Sequence, residues 1–534
     1  MEPALSIDVT WWQAAFFILD YTIKILAVGF VPEGRRPSSS TAWLLAILLI
    51  PFLGLPLFFL MGSPFINRRR HEVYKNANEQ LNDAQGQLPD MPPHLCNSRE
   101  VASMIALNRR LTGFPAVIGD QRGLLADYDQ AIKRMAEVID SATDYVHVQV
   151  YIQSWDETTD VFYQALADAV GRGVKVRLLF DQIGSLKYPG YRKLGKRLDA
   201  IGVDWHLMMP LQPWKWRFRR PDLRNHRKII IVDGTVGFMG SLNLIDRSYR
   251  IRKNVRAGRQ WIDYMVELSG PIVTSMESVF AIDWYLESDE VLDPETRHPT
   301  AHDATQGTAQ VTAQVTTQAS PQPTTQTAAP PAALTQTEYI SDANVLQMIP
   351  SGPGYSSEPN LRMFNQVVHH AKNRLVLCSP YFIPDESLLE AVTSAAFRGV
   401  RVELYVSERA DQFTVHHAQS SYYQALLEAG VHIYQFPAPY VLHSKFALAD
   451  PEDNHCDSVH AVGMLGSSNM DMRSFGLNYE STLFVVSGSL IDDLNELAAT
   501  YRAVSRPLTL EKWEQRGFIR RYVDNVMRLT SALQ

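Results

Sequence analysis

The sequence is poor in cysteine. Cys96, Cys378 and Cys456 are its only three in 534 residues, with no C-x-x-C spacing and no even number to pair. This argues against a disulfide framework or a cysteine zinc site and fits a reduced compartment. Nor is there an excess of positive charge: 50 lysines and arginines stand against 57 acidic residues, a net charge of −7. A nucleic-acid binder ordinarily carries a basic surplus, so nucleic acid is not an expected partner. No group of side chains has metal-ligand spacing. His369-His370 and His416-His417 are tandem pairs and His455 sits in a polar stretch, so these read as structural, and no metal or cofactor is expected.

Charge is also missing locally. Residues 9–31 are apolar apart from Gln13, Asp20 and Lys24, and 42–62 contain no charge at all. Each run is near the ~20 residues that cross ~30 Å of hydrocarbon as a helix. A signal peptide does not fit the first run, since no basic residue precedes it and a second run follows at once. Asp20 and Lys24 are four apart and can neutralise one another on one helix face. Pro51 and Pro56 are expected to kink the second span, and Trp11, Trp12 and Trp43 to anchor at the interface. Two spans make a hairpin, which leaves the N-terminus and the bulk of the chain on one side. Arg68, Arg69, Arg70 and Lys75 flank that side, against Arg35 and Arg36 in the turn, which predicts a multi-pass plasma-membrane protein with a cytoplasmic body.

What the rest contains is a repeat. Tyr145–Ile152 and Val174–Phe180 read as strands around a helical stretch at 159–171, and Arg374–Ile383 and Val400–Val406 repeat this around 386–397. Arg172-Gly173-Val174 returns as Arg398-Gly399-Val400, an offset of 226. The chain is thus a duplicated α/β module, with 46% hydrophobic residues to fill its cores. The expected divisions are a membrane hairpin at 1–67, a juxtamembrane connector at 68–115, a first lobe at 116–296 and a second at 340–534. Between the lobes, 297–339 is Thr, Ala, Gln and Pro with hardly a charge, a composition expected to stay disordered.

The repeat carries chemistry. His226-x-Lys228-x4-Asp233 precedes Gly240-Ser241-x-Asn243, and His443-x-Lys445-x4-Asp450 precedes Gly466-Ser467-x-Asn469. In a strand, residues two apart share a face, so each histidine and its lysine can enter one cavity. Displacement at a phosphodiester needs a nucleophile, positive charge on the non-bridging oxygens and a proton for the leaving alkoxide. One histidine can attack phosphorus while the other gives and takes protons, since imidazole titrates near neutrality. Lys228 and Lys445 supply charge, and Asn243 and Asn469 are expected to donate neutral hydrogen bonds. His226 is chosen as the nucleophile. A catalytic imidazole also wants its second nitrogen held by a carboxylate. Asp263 and Glu480 lie 217 apart, the separation of the two histidines, and are expected to orient them.

These features resemble the phospholipase D superfamily with its twin HKD motifs and, within it, the bacterial cardiolipin synthases. The resemblance rests on the hairpin, on Arg224-Asn-His226-Arg-Lys228, on Ser379-Pro-Tyr381-Phe-Ile-Pro, and on Gly466-Ser-Ser-Asn469-Met-Asp-Met-Arg473. It implies two α/β lobes of mixed sheet related by a pseudo-twofold axis, with His226, Lys228, Asp233, His443, Lys445 and Asp450 as the catalytic set. It also implies transfer of a phosphatidyl group between phosphatidylglycerol molecules in the bilayer, through a phosphohistidine. The chain departs from the family at Asp222, at Ser444 and in the lengthened loop between Asp450 and Gly466. Trp214, Trp216 and Phe218 among Lys215, Arg217, Arg219 and Arg220 could face anionic lipid or form a solvated edge. Other readings of the same residues are a hydrolase releasing phosphatidic acid, a nuclease, which the acidic balance disfavours, and a non-catalytic membrane scaffold.

Overall fold

A computed structural model describes residues 11–33, 37–62, 70, 72–77, 79, 89–92, 98–212, 217–292, 344–355, 357–454 and 461–529. The interlobe stretch 297–339 lies outside these residues, as do Arg35, Arg36, Arg68, Arg69, Cys96, Trp214, Lys215, Trp216, His455 and Cys456.

Helix α1 (Trp11–Phe30) follows from the first apolar run and, among the described residues, is the helix long and apolar enough to cross a membrane. Phe16, Phe17, Ile18, Ile25 and Phe30 are exposed along it, and Lys24 pairs with Asp20 at 2.8 Å. The second run is interrupted at Pro51, where a kink is expected. It forms α2 (Pro37–Leu49) and α3 (Pro51–Leu57), followed by a π-turn at Phe58–Gly62. Pro51 cannot continue the helix before it, so the chain leaves helical geometry at Ile50 and restarts with Pro51 in the first turn. Gly54 lets α3 lie against the Ala46 carbonyl of α2, where a Cβ would collide. Trp43, expected at the membrane interface, packs edge-on against Phe58 at 5.7 Å.

The body is one 16-stranded mixed sheet. The first lobe supplies β1 (Ala116–Leu125), β2 (Tyr145–Val150), β3 (Lys175–Asp181), β4 (Asp204–Met208), β5 (Lys228–Val232), β6 (Val236–Gly240) and β7 (Met265–Ser269). The second supplies β8 (Asn344–Ser351), β9 (Arg374–Cys378), β10 (Arg401–Ser407), β11 (His432–Phe436), β12 (Phe446–Ala449), β13 (Val462–Gly466) and β14 (Asn478–Ser487), with β15 (Arg506–Leu508) at its outer edge. The first lobe runs β1-β7-β6-β5-β2-β3-β4 and the second β8-β14-β13-β12-β9-β10-β11, one order written twice. The copies meet where β1 and β8 pair antiparallel, Ala116 opposite Gln347 and Gly119 opposite Asn344. That seam is the pseudo-twofold axis.

Local chemistry explains the repeat. Gly173 and Gly399 end matching helices with φ of +89° and +92°, a left-handed turn that returns the chain to β3 and β10. Ile229, Ile230 and Ile231 of β5 are fully buried, as expected for a central strand covered on both faces. Each such side chain contributes about 1.5–3 kcal/mol by leaving water. Helix α4 (Pro271–Ser288) and the helix Ser489–Val504 share a single core drawn from both lobes, with Phe280 and Trp284 from one and Ile491 and Leu494 from the other. The connector contributes the helix Arg99–Thr112, whose Val101, Met104 and Ile105 enter the second lobe's core.

Candidate active site

The two motif strands do not keep to their own lobes. Just before β5, Arg224-Asn225 pairs in parallel with Asn478-Tyr479 of the second lobe, and the His226 N–H donates to the Tyr479 carbonyl at 2.8 Å. Reciprocally, Tyr440–Leu442 pairs with Gln260–Ile262 of the first lobe, and the His443 N–H donates to the Ile262 carbonyl at 2.8 Å. The next residue on each host strand is a carboxylate. His226 Nδ1 therefore lies 3.0 Å from Glu480, and His443 Nδ1 lies 2.7 Å from Asp263. Each histidine is held by the opposite lobe.

The expected serines hold this seam. Ser467 Oγ donates to Glu480 at 2.6 Å and accepts from the Ser481 N–H at 2.9 Å. Ser241 Oγ accepts from the Tyr264 N–H at 3.1 Å. Gly240 and Gly466 pass so close to the carbonyls of Tyr264 and Ser481 that a Cβ at either would collide. Asp181, at the end of β3, braces the other side, pairing with Arg224 at 3.1 Å and accepting from the Asn225 N–H at 3.1 Å.

Electrostatics distinguish the two pairs. Burial pushes His226 well below the ordinary imidazole range, and Lys228 and Lys445 add to the effect. Burial pushes Glu480 up to about 7. His443 is also lowered by burial, but Asp263 opposes that shift. Burial alone would raise Asp263, yet His443 and Lys445 hold it below the ordinary carboxylate range. His443 is thus suited to carry a proton and His226 to remain neutral. Lys445 falls to about 8 and Lys228 is also lowered, in both cases mainly by burial. Such a site gains most from a bound anion.

Three of the expected residues have hydrogen-bond partners of their own. The Asp233 carboxylate accepts from the N–H groups of Thr143, Asp144 and Tyr145 at 2.8–2.9 Å. Asp450 does the same for Lys372, Asn373 and Arg374 at 2.7–2.8 Å. Five residues of extended chain separate each from its lysine, about 16 Å, so these two fasten the far strand ends instead of lining the cavity. Asn243 is partly engaged: one N–H of its amide donates to Tyr249 Oη at 2.8 Å and its carbonyl accepts from the Ile152 N–H at 3.2 Å. The side-chain carbonyl of Asn469 has no partner among the described residues.

Other participants had no clear signal in the sequence. Tyr151 meets the His226 ring edge-on at 4.9 Å, and Lys228 Nζ lies 5.4 Å above its ring. Arg227, between the histidine and the lysine, points to the opposite face. It donates to Asp283 of α4 at 2.6 Å, to Tyr74 Oη at 3.0 Å and to the Glu480 carbonyl at 3.1 Å. Its counterpart Ser444 meets Tyr501 Oη at 2.7 Å. Arg70, counted above as a flanking charge, is buried and pairs with Glu287. Tyr74, four residues on, bonds Asp283, so the connector is anchored directly behind the histidine strand. Asp222, the departure at the pocket mouth, is paired with Arg220 at 2.5 Å.

A bilobal sheet with a histidine and lysine delivered to the seam by each half defines a phospholipase D-like phosphotransferase. The phosphatidylserine synthase of Haemophilus influenzae Rd KW20 has this fold, with a TM-score of 0.54 at 12% identity over 82% of this chain and 100% of that one. The chain belongs to the cardiolipin synthase family: the family described as cardiolipin synthase, PLD-like domain, matches residues 135–284 and 364–501. A phospholipase D-nuclease N-terminal family matches residues 22–62. Cardiolipin synthase A of Proteus mirabilis (strain HI4320) is 29% identical over 529 residues, 98% of each chain. Cardiolipin synthase A of Pectobacterium atrosepticum is 27% identical over 534 residues, 98% of this chain and 99% of that one. The protein is a membrane-associated phosphotransferase of phospholipid biosynthesis.

Proposed function

We propose that the protein transfers a phosphatidyl group from one phosphatidylglycerol to another, giving cardiolipin and glycerol through a phosphohistidine on His226. The observation that carries this reading is the pair of crossed histidine–carboxylate contacts flanking two buried lysines. Neutral His226, its Nδ1 fixed by Glu480, attacks phosphorus through Nε2. Lys228 and Lys445 neutralise the non-bridging oxygens, and Asn469 donates a further hydrogen bond. His443, held by Asp263, protonates the departing glycerol oxygen. The now neutral His443 then removes the proton from the terminal glycerol hydroxyl of a second phosphatidylglycerol, whose oxygen displaces His226 from phosphorus. Two phosphatidylglycerols are consumed, and both histidines return to their starting states. Ser241, Ser467, Asp233 and Asp450 position this machinery without touching lipid.

The apolar N-terminal segment keeps the pocket beside its substrate. Basic residues on the body side of that segment support a cytoplasmic location for the lobes and a multi-pass anchor. The test is product analysis: purified protein with headgroup- and acyl-labelled phosphatidylglycerol forms cardiolipin and glycerol in equal amounts. Phosphatidic acid as the sole lipid product would replace the transfer with hydrolysis.

A further inference from the structure

The last helix of the described chain, α6 (Phe518–Arg528), wears its apolar side outward. Phe518, Tyr522 and Leu529 lie on one face at spacings of four and seven, with Ile519 beside them. They are 74%, 61%, 83% and 78% exposed. A helix seated on a globular core normally buries that face. Here the side toward the lobe seats Met527 against the core and is fixed by a polar clasp: Asp524 is 1% exposed and binds His417 at 2.6 Å and Arg516 at 2.7 Å. Helix α6 is therefore fixed to the second lobe through α5 (Phe413–Ser420), which carries His417.

Charge indicates what covers the face. Arg520, Arg521 and Arg528 are exposed, and Asp524, the helix's one carboxylate, is buried in the clasp. The nearby Glu511 and Glu514 belong to the preceding short helix, Leu510–Glu514. A basic helix with outward aromatics, in a chain whose net charge is −7, is complementary to an anionic lipid surface. A twofold contact with a second copy would oppose two sets of these arginines. The apolar surface continues onto Phe413, 65% exposed, whose ring lies 4.3 Å from His417. Asp411, two residues earlier, bonds Tyr381 Oη at 2.7 Å and accepts from Arg259 of the first lobe at 3.2 Å. The helix thus hangs from a loop that touches both lobes.

We propose that α6 is a second membrane contact, lying in the headgroup layer of an anionic bilayer with Phe518, Ile519, Tyr522 and Leu529 inserted. It holds the second lobe against the surface from which the substrate is drawn, and so rests on the lipid-transfer reading above. The test places benzoylphenylalanine at Tyr522 of the full chain, reconstituted in vesicles of phosphatidylglycerol and phosphatidylethanolamine, with Phe397 as an exposed control. Photolysis is expected to give lipid adducts at 522 and several-fold fewer at 397. A joint Ile519→Glu, Tyr522→Glu change is expected to raise the apparent KM for vesicle phosphatidylglycerol roughly tenfold, with kcat in detergent micelles unchanged. Adducts to a second copy, equal labelling at both positions, or an unchanged KM would overturn the proposal. Lipid adducts at 522 alongside a wild type that forms no cardiolipin would refute the transfer reading and leave this one standing.

Discussion

Nδ1 of His443 and Oδ1 of Asp263 stand 2.7 Å apart, although 180 residues and a lobe boundary separate them. The carboxylate serves the histidine that the account uses as acid and base. Asp263→Asn is therefore expected to lower kcat roughly 10–100-fold or more with little effect on KM. With nitrophenol, which leaves without a proton, in place of the glycerol headgroup, the first step, read as the nitrophenol burst rate, should recover most of that loss. Glu480→Gln should not be rescued in the same way, because it supports the nucleophile. Equal rescue of both variants would place the proton donor elsewhere.

Glu480 is ionised at a cost to the fold. Its folded pKa of about 7 lies above the ordinary value of 4.5, so the native state binds more protons between those limits and stability falls as pH rises through them. Glu480→Gln removes that penalty. The variant is expected to be more stable than wild type by roughly 1–3 kcal/mol at pH 8, with the difference gone near pH 4.5, while activity drops. Denaturant titrations at the two pH values check this.

Lys445 sets an alkaline limit. Burial lowers it to about 8, so in the free enzyme its charge is lost above that pH and with it the attraction for the phosphodiester. kcat/KM is expected to fall above pH 8. Lys445→Arg should move that limb upward, since guanidinium stays protonated, even if the maximal rate is lower. An alkaline limb that does not move would assign it to another group.

Asp283 joins the connector to the histidine strand. Burial alone would raise its carboxyl, but Arg227 and Arg70 hold it below the ordinary range. Asp283→Asn leaves Arg227 buried without its counter-charge, while Arg70 keeps Glu287, and the expected loss is about 3–5 kcal/mol. Tyr74→Phe removes only a hydroxyl from the same cluster, and about 1–3 kcal/mol is expected. Unfolding of the detergent-solubilised chain measures both.

Much of this was legible because duplication amplifies weak signals. His226 and Lys228 alone resemble any strand start, but recurring as His443 and Lys445 in one register they mark a shared cavity. The same symmetry concealed the crossing. Asp263 and Glu480 have the offset of the histidines whether each serves its own lobe or the other, so sequence could not assign the partners. Asp233 and Asp450 sit at fixed motif positions because strand ends must be fastened, which looks identical to a catalytic requirement. Asn243 is partly engaged by Tyr249, a neighbour brought back by a turn that leaves no periodic trace. Arg70 and Tyr74 lie in a polar connector, where two buried side chains are too few to set a pattern. The second apolar run has the length of a span, and Pro51 breaks its helix where the sequence predicts a kink.

The central claim, that phosphatidyl transfer passes through His226, is tested most directly by rapid quenching of the enzyme with phosphorus-labelled phosphatidylglycerol, followed by peptide mapping and a chase with unlabelled lipid. Label on the His226 peptide that moves into cardiolipin is the predicted result. Label on the His443 peptide, or label that leaves only as phosphatidic acid, would contradict it.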